Sequence, residues 1–375
     1  GNAILGRMNI MKPTIPLMRP KLPDRQALEP YLAEIDKNRW YSNFGPLERR
    51  LEVRLAEYFD IDPCQLVCVS NATQALSISL KTVARSPVGC CLLPSFTFAA
   101  TPHAAVGAGL EPYFLDVNRE TWALNPKTVE AVLKNLDVPV AAVMPVAPFG
   151  APFNIEEWDE FHRITGIPVV IDAAAGFDSA TAGLNPVIIS LHATKAMGIG
   201  EGGLILCRDN NLAEQLRAAR NFGFLGERVA EIPGMNAKLS EYGAAVGLAA
   251  LDGWSDRRAQ LCRIVADYLD VFEGIEHLRF APGFGLNNAV TTCNVTFQDP
   301  VASQIIDALR EEGIETRRWW NRGCHREPVF AGCQRTSLDC TEYLADRVVG
   351  LPFHIDLDKS QIERIRDAVM HAIAR

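Results

Sequence analysis

No stretch of this chain reaches the roughly 18 to 20 consecutive apolar residues that a bilayer-spanning helix needs. Its amino terminus also lacks the basic, apolar, small-residue succession of a secretory leader, so the expected location is cytoplasmic, with no membrane partner. A dense Lys/Arg run is missing too: 45 acidic residues outweigh 37 basic ones, giving a formal charge of -8. A nucleic-acid binder needs a basic face to replace phosphate counterions, so small-molecule chemistry is expected instead. There is no internal repeat and no low-complexity segment, which excludes solenoids and propellers. None of the ten cysteines belongs to a Cys-x-x-Cys unit matched by a second one. Cys324, His325, Cys333 and Cys340 fit no common zinc spacing, so no metal is expected and the thiols read as reduced.

What is present is a long chain, 375 residues with 48% apolar and 22% charged. That is enough to bury a large core in one big domain plus a smaller one. Gly1 to Arg7, ahead of Met8, read as a cloning remnant, with a natural start at Met8 or Met11. Short apolar runs then alternate with helical patterns. Strand candidates are Leu66 to Val69, Cys90 to Leu93, Pro112 to Leu115, Val140 to Met144, Pro168 to Ile171, Val187 to Ser190 and Leu204 to Cys207. Helical patterns fall near Thr73 to Val83, Phe98 to Gly107, Asn125 to Lys134 and Ile155 to Thr165. Strands apolar on both faces belong to a mostly parallel sheet covered by helices, so the fold class is α/β. A long helix, about Asp256 to Glu273, carries the chain into a smaller C-terminal α+β domain. That domain has a strand near Val290 to Phe297 and helices at Val301 to Glu312, Thr341 to Val348 and Lys359 to Ile373. The expected division is therefore 8–255 and 256–375, with 8–46 a proline-spaced segment running over the surface.

Ligands of open α/β sheets bind outside the carboxyl ends of the strands, so the polar residues that close apolar runs are the candidates. At Ser70 to Leu76 a strand turns straight into a helix through small and hydroxyl residues. The turn reads either as an ordinary cap or as a phosphate site built on free N–H groups. Asp172 closes a buried strand, as a turn residue or as a carboxylate that keeps the pyridine nitrogen of pyridoxal 5'-phosphate (PLP) protonated. Lys195 follows the strand end at Ser190 and could supply the amine that such a cofactor needs; a lone lysine is otherwise a solvated one. Within Pro94 to Phe98, an aromatic could cover a flat heteroaromatic ring or pack in the core. Gly198 to Gly203 satisfies the G-x-G-x-x-G spacing, but it precedes a strand and opens no helix, so it reads as a close-approach loop beside Lys195.

Taken in order, these stretches resemble the DegT/StrS-type sugar aminotransferases, fold type I PLP enzymes. The resemblance rests on Gly45-Pro46 with Glu52, Ser70 to Leu76, Pro94 to Thr101, Asp172 to Ala174, Ser190 to Lys195 with Gly200 to Gly203, Gly234 to Asn236, and Leu351-Pro352. It implies that Lys195 holds PLP as an imine, Asp172 pairs with the ring nitrogen, and Phe98 stacks on the ring. Ala72, Thr73 and Ser190 would bind the phosphate, with His192 beside the cofactor. Asn236 would reach the phosphate of a neighbouring subunit, making a homodimer with shared active sites.

The implied reaction moves an amino group from an amino acid, usually glutamate, to a keto group of a nucleotide-linked deoxysugar, by a ping-pong cycle. Lys195 would need a depressed pKa to act as base. The chain departs from the pattern at Ala175, where many members carry Gln or His, and across Pro145 to Gly150. Rival readings are a related PLP-dependent sugar dehydratase, against which Lys195 argues, and a lapsed binding or regulatory protein, which Ala175 favours. Arg220, Arg317, Arg318 and Arg322 could meet a pyrophosphate or be solvated, and His325 is ambiguous.

Overall fold

The structure is a computed structural model that describes residues 13–375; the readings placed on Gly1 to Arg7, Met8 and Met11 lie outside the described residues. Helices α1 (Arg25–Asn38) and α2 (Pro46–Tyr58) lead into β1 (Leu66–Val69), then α3 (Ala72–Val83), β2 (Cys90–Pro94), α4 (Ala100–Gly107) and β3 (Glu111–Leu115). The alternation continues through α5 (Pro126–Leu133), β4 (Val140–Val143), α6 (Ile155–Thr165), β5 (Ile171–Asp172), β6 (Val187–Ser190), β7 (Gly203–Leu206) and α7 (Asn210–Ala219).

The strands form two ladders, β3-β2-β4 and β1-β7-β6-β5. Parallel bridges Val143–Val169 and Val146–Asp172 carry β4 across to β5, so the layer is continuous. Strand β7 runs antiparallel to both of its neighbours, β1 and β6, and the other named pairs in the layer are parallel. All four residues of β1, β6 and β7 are buried, as expected of strands covered on both faces. Trp158 and Phe161 of α6 and Phe177 after β5 are fully buried beneath one face. Each such side chain contributes roughly 1.5–3 kcal/mol relative to exposure.

Helix α8 (Glu241–Asp252) is followed almost at once by α9 (Trp254–Val271). The C-terminal part packs α10 (Ala302–Glu311), α11 (Asp339–Ala345) and α12 (Lys359–Ile373) around an antiparallel sheet of β8 (Leu278–Phe280), β9 (Cys293–Phe297) and β10 (Val348–Leu351). Strand β10 was legible only as the end of a helix, because Val348 and Val349 continue the apolar spacing of α11.

The leading segment differs from expectation. Its prolines do not keep it irregular: Asp24 caps α1 by accepting the Ala27 amide at 2.9 Å, and one interior proline, Pro30, is tolerated. Ahead of α1, Ile15 exchanges backbone bonds with Gly313 and Glu315, and Leu17 accepts from Phe353, so residues 15–17 lie against the C-terminal part. No helix among the described residues is long and apolar enough to cross a membrane.

Candidate active site

Lys195 lies on the connection from β6 to β7. These antiparallel neighbours close their ladder with Ser190 opposite Gly203, so residues 191–202 must leave the sheet's edge and return. The excursion is internally bonded: Leu191 N–H to the Gly202 carbonyl, Ala193 N–H to Gly200 and Ile199 N–H to Leu191, at 2.8–2.9 Å. At Gly198 a Cβ would stand 2.6 Å from the Ala193 carbonyl oxygen, and Gly200 has φ +101°, so glycine is needed at both. The glycine run is a loop entering a strand, with none of the context of a dinucleotide site.

Asp172, at the end of β5, is 5% exposed. Its Oδ2 accepts the Thr101 hydroxyl at 2.8 Å and its Oδ1 the Ala174 amide at 3.1 Å. Because the only proton of Thr101 points to Asp172, Thr97 must donate in the 2.7 Å contact between the two threonine hydroxyls. Burial pushes the Asp172 pKa up, while the Thr101 and Ala174 hydrogen bonds and the Lys195 charge work the other way. Burial lowers the Lys195 pKa, with Asp172 opposing. Lys195 is half-buried as a residue, and its amine has no hydrogen bond or ion pair among the described residues.

Gly203 also joins this pair to the start of α3. It faces Val69 in the β1 ladder and Ser190 in the β6 ladder, so the ends of β1 and β6 flank one residue. Asn71 caps α3 by accepting the Gln74 amide at 2.8 Å, which leaves the Ala72 and Thr73 amides without a partner among the described residues. Ser190 is buried, and its oxygen accepts only the His192 amide, at 3.1 Å. The alternatives of cap and anion site at Ser70 to Leu76 therefore coexist: the side chain of Asn71 caps, and the two amides ahead of Gln74 stay open.

The other expected residues scatter more. Phe98 is 59% exposed at the sheet's edge, whereas Phe96 is buried against Trp122 and Trp320, which separates the free ring from the core ring. His192 is half-buried and bonds Thr194 through Nδ1 at 2.9 Å. Asn236 is exposed and accepts the Lys238 amine at 2.8 Å; its neighbour Ala237 takes the Ser70 amide on its carbonyl, which keeps the segment beside the α3 turn.

Arg220 is neither solvated nor free for pyrophosphate. It is buried between Glu48 (2.7 Å) and Glu52 (2.9 Å), lies over the Phe44 ring, and fills the cation's place in the grouping of Glu48, Glu52 and Cys68. Arg317 stacks on Trp319, Arg318 bonds Ser303, and Arg322 pairs with Asp346. His325 is a buried bridge between the Ser95 hydroxyl (2.6 Å) and Glu342 (2.7 Å). At Ala175 the backbone matters: a Cβ on Gly150 would come 2.6 Å from its carbonyl oxygen. Two residues beside the Lys195 loop carried no sequence signal, Arg257 and His354. An arginine in the first turn of a helix reads as solvated, and a histidine after Leu-Pro reads as a turn.

The donor set fits PLP in kind: open amides and a hydroxyl for a phosphate, a buried carboxylate for a ring nitrogen, an unpaired amine for an aldehyde. A lysine, a carboxylate and an anion cradle at the carboxyl ends of one mostly parallel sheet define the fold type I PLP-dependent class. The chain belongs to the DegT/DnrJ/EryC1/StrS aminotransferase family, whose model matches residues 24–370, and with it to enzymes whose cofactor is PLP. It is 30% identical over 342 residues to the dTDP-3-amino-3,4,6-trideoxy-alpha-D-glucose transaminase of Streptomyces venezuelae, covering 87% of this chain and 86% of that one. A Bacillus cereus protein assigned to the PLP-dependent aminotransferases superposes with a TM-score of 0.89 at 31% identity, over 96% of this chain and 100% of the other. DesI, solved in the presence of its TDP-sugar product, superposes at 0.86 with 30% identity, over 96% and 93%.

Proposed function

We propose that this chain moves an amino group from an amino acid donor, L-glutamate, to a keto group of a nucleotide-linked deoxysugar, in two half-reactions of a ping-pong cycle. The observation that carries the reading is the meeting of Lys195, Asp172 and the open amides of α3 at one edge of the sheet. Relatives that act on dTDP-linked amino sugars, and DesI with its TDP-sugar product, support the acceptor class.

PLP, when bound, supplies the electron sink. Lys195 would carry the cofactor and then, freed by the donor, move a proton at the donor carbon. Its lowered pKa suits that role, because a lysine near its ordinary value stays protonated at neutral pH. Asp172 would hold a proton on the ring nitrogen, for which it must stay ionised. Its hydrogen bonds from Thr101 and Ala174 favour the ionised form against burial. Ala72, Thr73 and Ser190 would bind the phosphate, Phe98 would cover the ring, and His192 would stand beside it.

The working unit in this reading is a homodimer. Trp40, Tyr41, Phe222 and Tyr242 are large apolar side chains left exposed, with Tyr41 stacked on Tyr242. Such surface, with exposed Asn236 beside Phe222, suits cover by a second copy. The test is the absorption spectrum of the PLP-loaded protein and of Lys195→Ala, before and after L-glutamate. A Lys195-dependent band that glutamate bleaches supports the first half-reaction, and a dTDP-linked keto sugar should restore it. A band that forms equally well without Lys195 sinks the reading.

A further inference from the structure

Arg257, on the first turn of α9, has one hydrogen bond among the described residues, from Nε to the Ala196 carbonyl at 3.4 Å. Among the described residues its guanidinium has no carboxylate: burial alone lowers its pKa, with no charge opposing. The next residue shows the contrast, since Arg258 holds Asp178 at 2.7 Å. A partly buried guanidinium without an anion is costly, and arginine is the side chain suited to carboxylates, which it grips with two parallel N–H groups.

A second orphan faces the same space. His354 is 5% exposed, and among the described residues both of its ring nitrogens lack a hydrogen-bond partner, the Pro16 carbonyl standing near without the geometry for one. Between Arg257 and His354 lies a niche also lined by Arg19, Thr194 and Thr291. Its void is only about 10 Å³, the room of one water. One wall can yield, because the Arg19 side chain is 61% exposed and, among the described residues, tied only to Asp356, at 3.2 Å across the surface.

We propose that Arg257, with His354 and Thr194 beside it, is the subsite that takes the α-carboxylate of the amino donor when Arg19 swings aside. The proposal rests on the aminotransfer reading above. Thr194 lines the niche and Ala196 supplies the carbonyl that Arg257 holds, so the subsite brackets Lys195 in the chain. In an α-amino acid the carboxylate sits one carbon from the amine, and the amine must take the place of Lys195. A compact anion beside that lysine is what such a donor presents. A pyrophosphate bearing a nucleoside is too large for the niche.

The test uses the PLP-loaded full chain as wild type, Arg257→Gln and Arg257→Lys. L-glutamate is titrated against the Lys195-dependent absorption band, and glutarate, which has no amine to transfer, is titrated by calorimetry. The Gln variant should need about tenfold or more glutamate and bind glutarate more weakly by the same factor, and Lys, which keeps charge without the fork, should fall between. n-Butylamine, which has no carboxylate, should act on the band equally in all three proteins, an equality that a merely structural arginine would break. Unchanged affinities for glutamate and glutarate in the Gln variant overturn the proposal. A wild type that glutamate does not bleach but that binds glutarate through Arg257 overturns the aminotransfer reading and leaves the anion niche standing.

Discussion

Gly203 of β7 lies so close to the first turn of α3 that a Cβ there would stand 2.8 Å from the Ala72 nitrogen. Since the same residue pairs with Ser190, one position without a side chain lets the open first turn of α3 and the base of the Lys195 loop share a wall.

Replacing Gly203 with alanine should therefore push the α3 turn outward, because the two nearest atoms it meets, Ala72 N and Asn71 C, are backbone. The strain should cost about 1–3 kcal/mol of stability, in the range of overpacked sites. PLP affinity should fall as well, and more than stability in a matched urea titration with PLP present and absent. Retention of full affinity would remove Ala72 and Thr73 from the cradle.

Thr101→Val takes from Asp172 the hydroxyl that favours its ionised form. Burial then acts with less opposition, the carboxyl is easier to protonate, and on the proposed role its hold on a protonated ring nitrogen should weaken. A hydrogen bond to a charged group is worth about 1.5–3 kcal/mol, so PLP should bind at least about tenfold more weakly, measured by equilibrium dialysis. Thr101→Ser keeps the donor and should restore most of the affinity. Full affinity in the Val variant beside a loss in the Ser variant would mean that the methyl group, not the hydroxyl, matters.

Phe98→Ala separates a ring-covering role from a packing role. At 59% exposure the side chain supports little of the core, so stability should change by no more than about 0.5 kcal/mol. Loss of one aromatic contact, worth about 0.5–1.5 kcal/mol, should weaken PLP binding by a few-fold to tenfold. Phe96→Ala should invert the pattern, with a large loss of stability, because Phe96 is wedged against Trp122 and Trp320. Thermal melts beside PLP titrations of both variants check this.

The sheet was legible because its strands are buried on both faces and read as uninterrupted apolar runs; β6 falls at Val187–Ser190, as its apolar run suggested. Antiparallel β7 was not legible as such, since a strand's direction is set by its partners and leaves no local mark. The α1 helix hid behind its prolines, where one Asp cap and one tolerated Pro30 outweighed composition. In the site, residues closing buried strands announced themselves by position, Asp172 above all. Arg220 misled, because its partners Glu48 and Glu52 lie some 170 residues away in sequence and only the fold brings them together. Arg257 gave no signal for the opposite reason: what marks it is the lack of a carboxylate partner among the described residues.

The Arg220 cluster yields a prediction in pH. Glu48 is 1% exposed, and burial raises its pKa well above the ordinary 4.5 although Arg220 pulls it down; Glu52, sharing the same guanidinium, pushes it up further. In the folded state Glu48 therefore keeps its proton at pH values where the unfolded chain has released it. Between about 4.5 and neutrality the native state binds more protons than the unfolded state at this site, so its contribution to stability falls as pH rises. Glu48→Gln mimics the protonated form and cannot ionise, so it should remove that slope. In urea unfolding of the unloaded protein, the variant should match or slightly trail the wild type near pH 5. It should gain on the wild type steadily toward pH 7.5. A difference that stays constant across that window would mean that Glu48 is ionised throughout, with Arg220 and the Glu52 geometry outweighing burial.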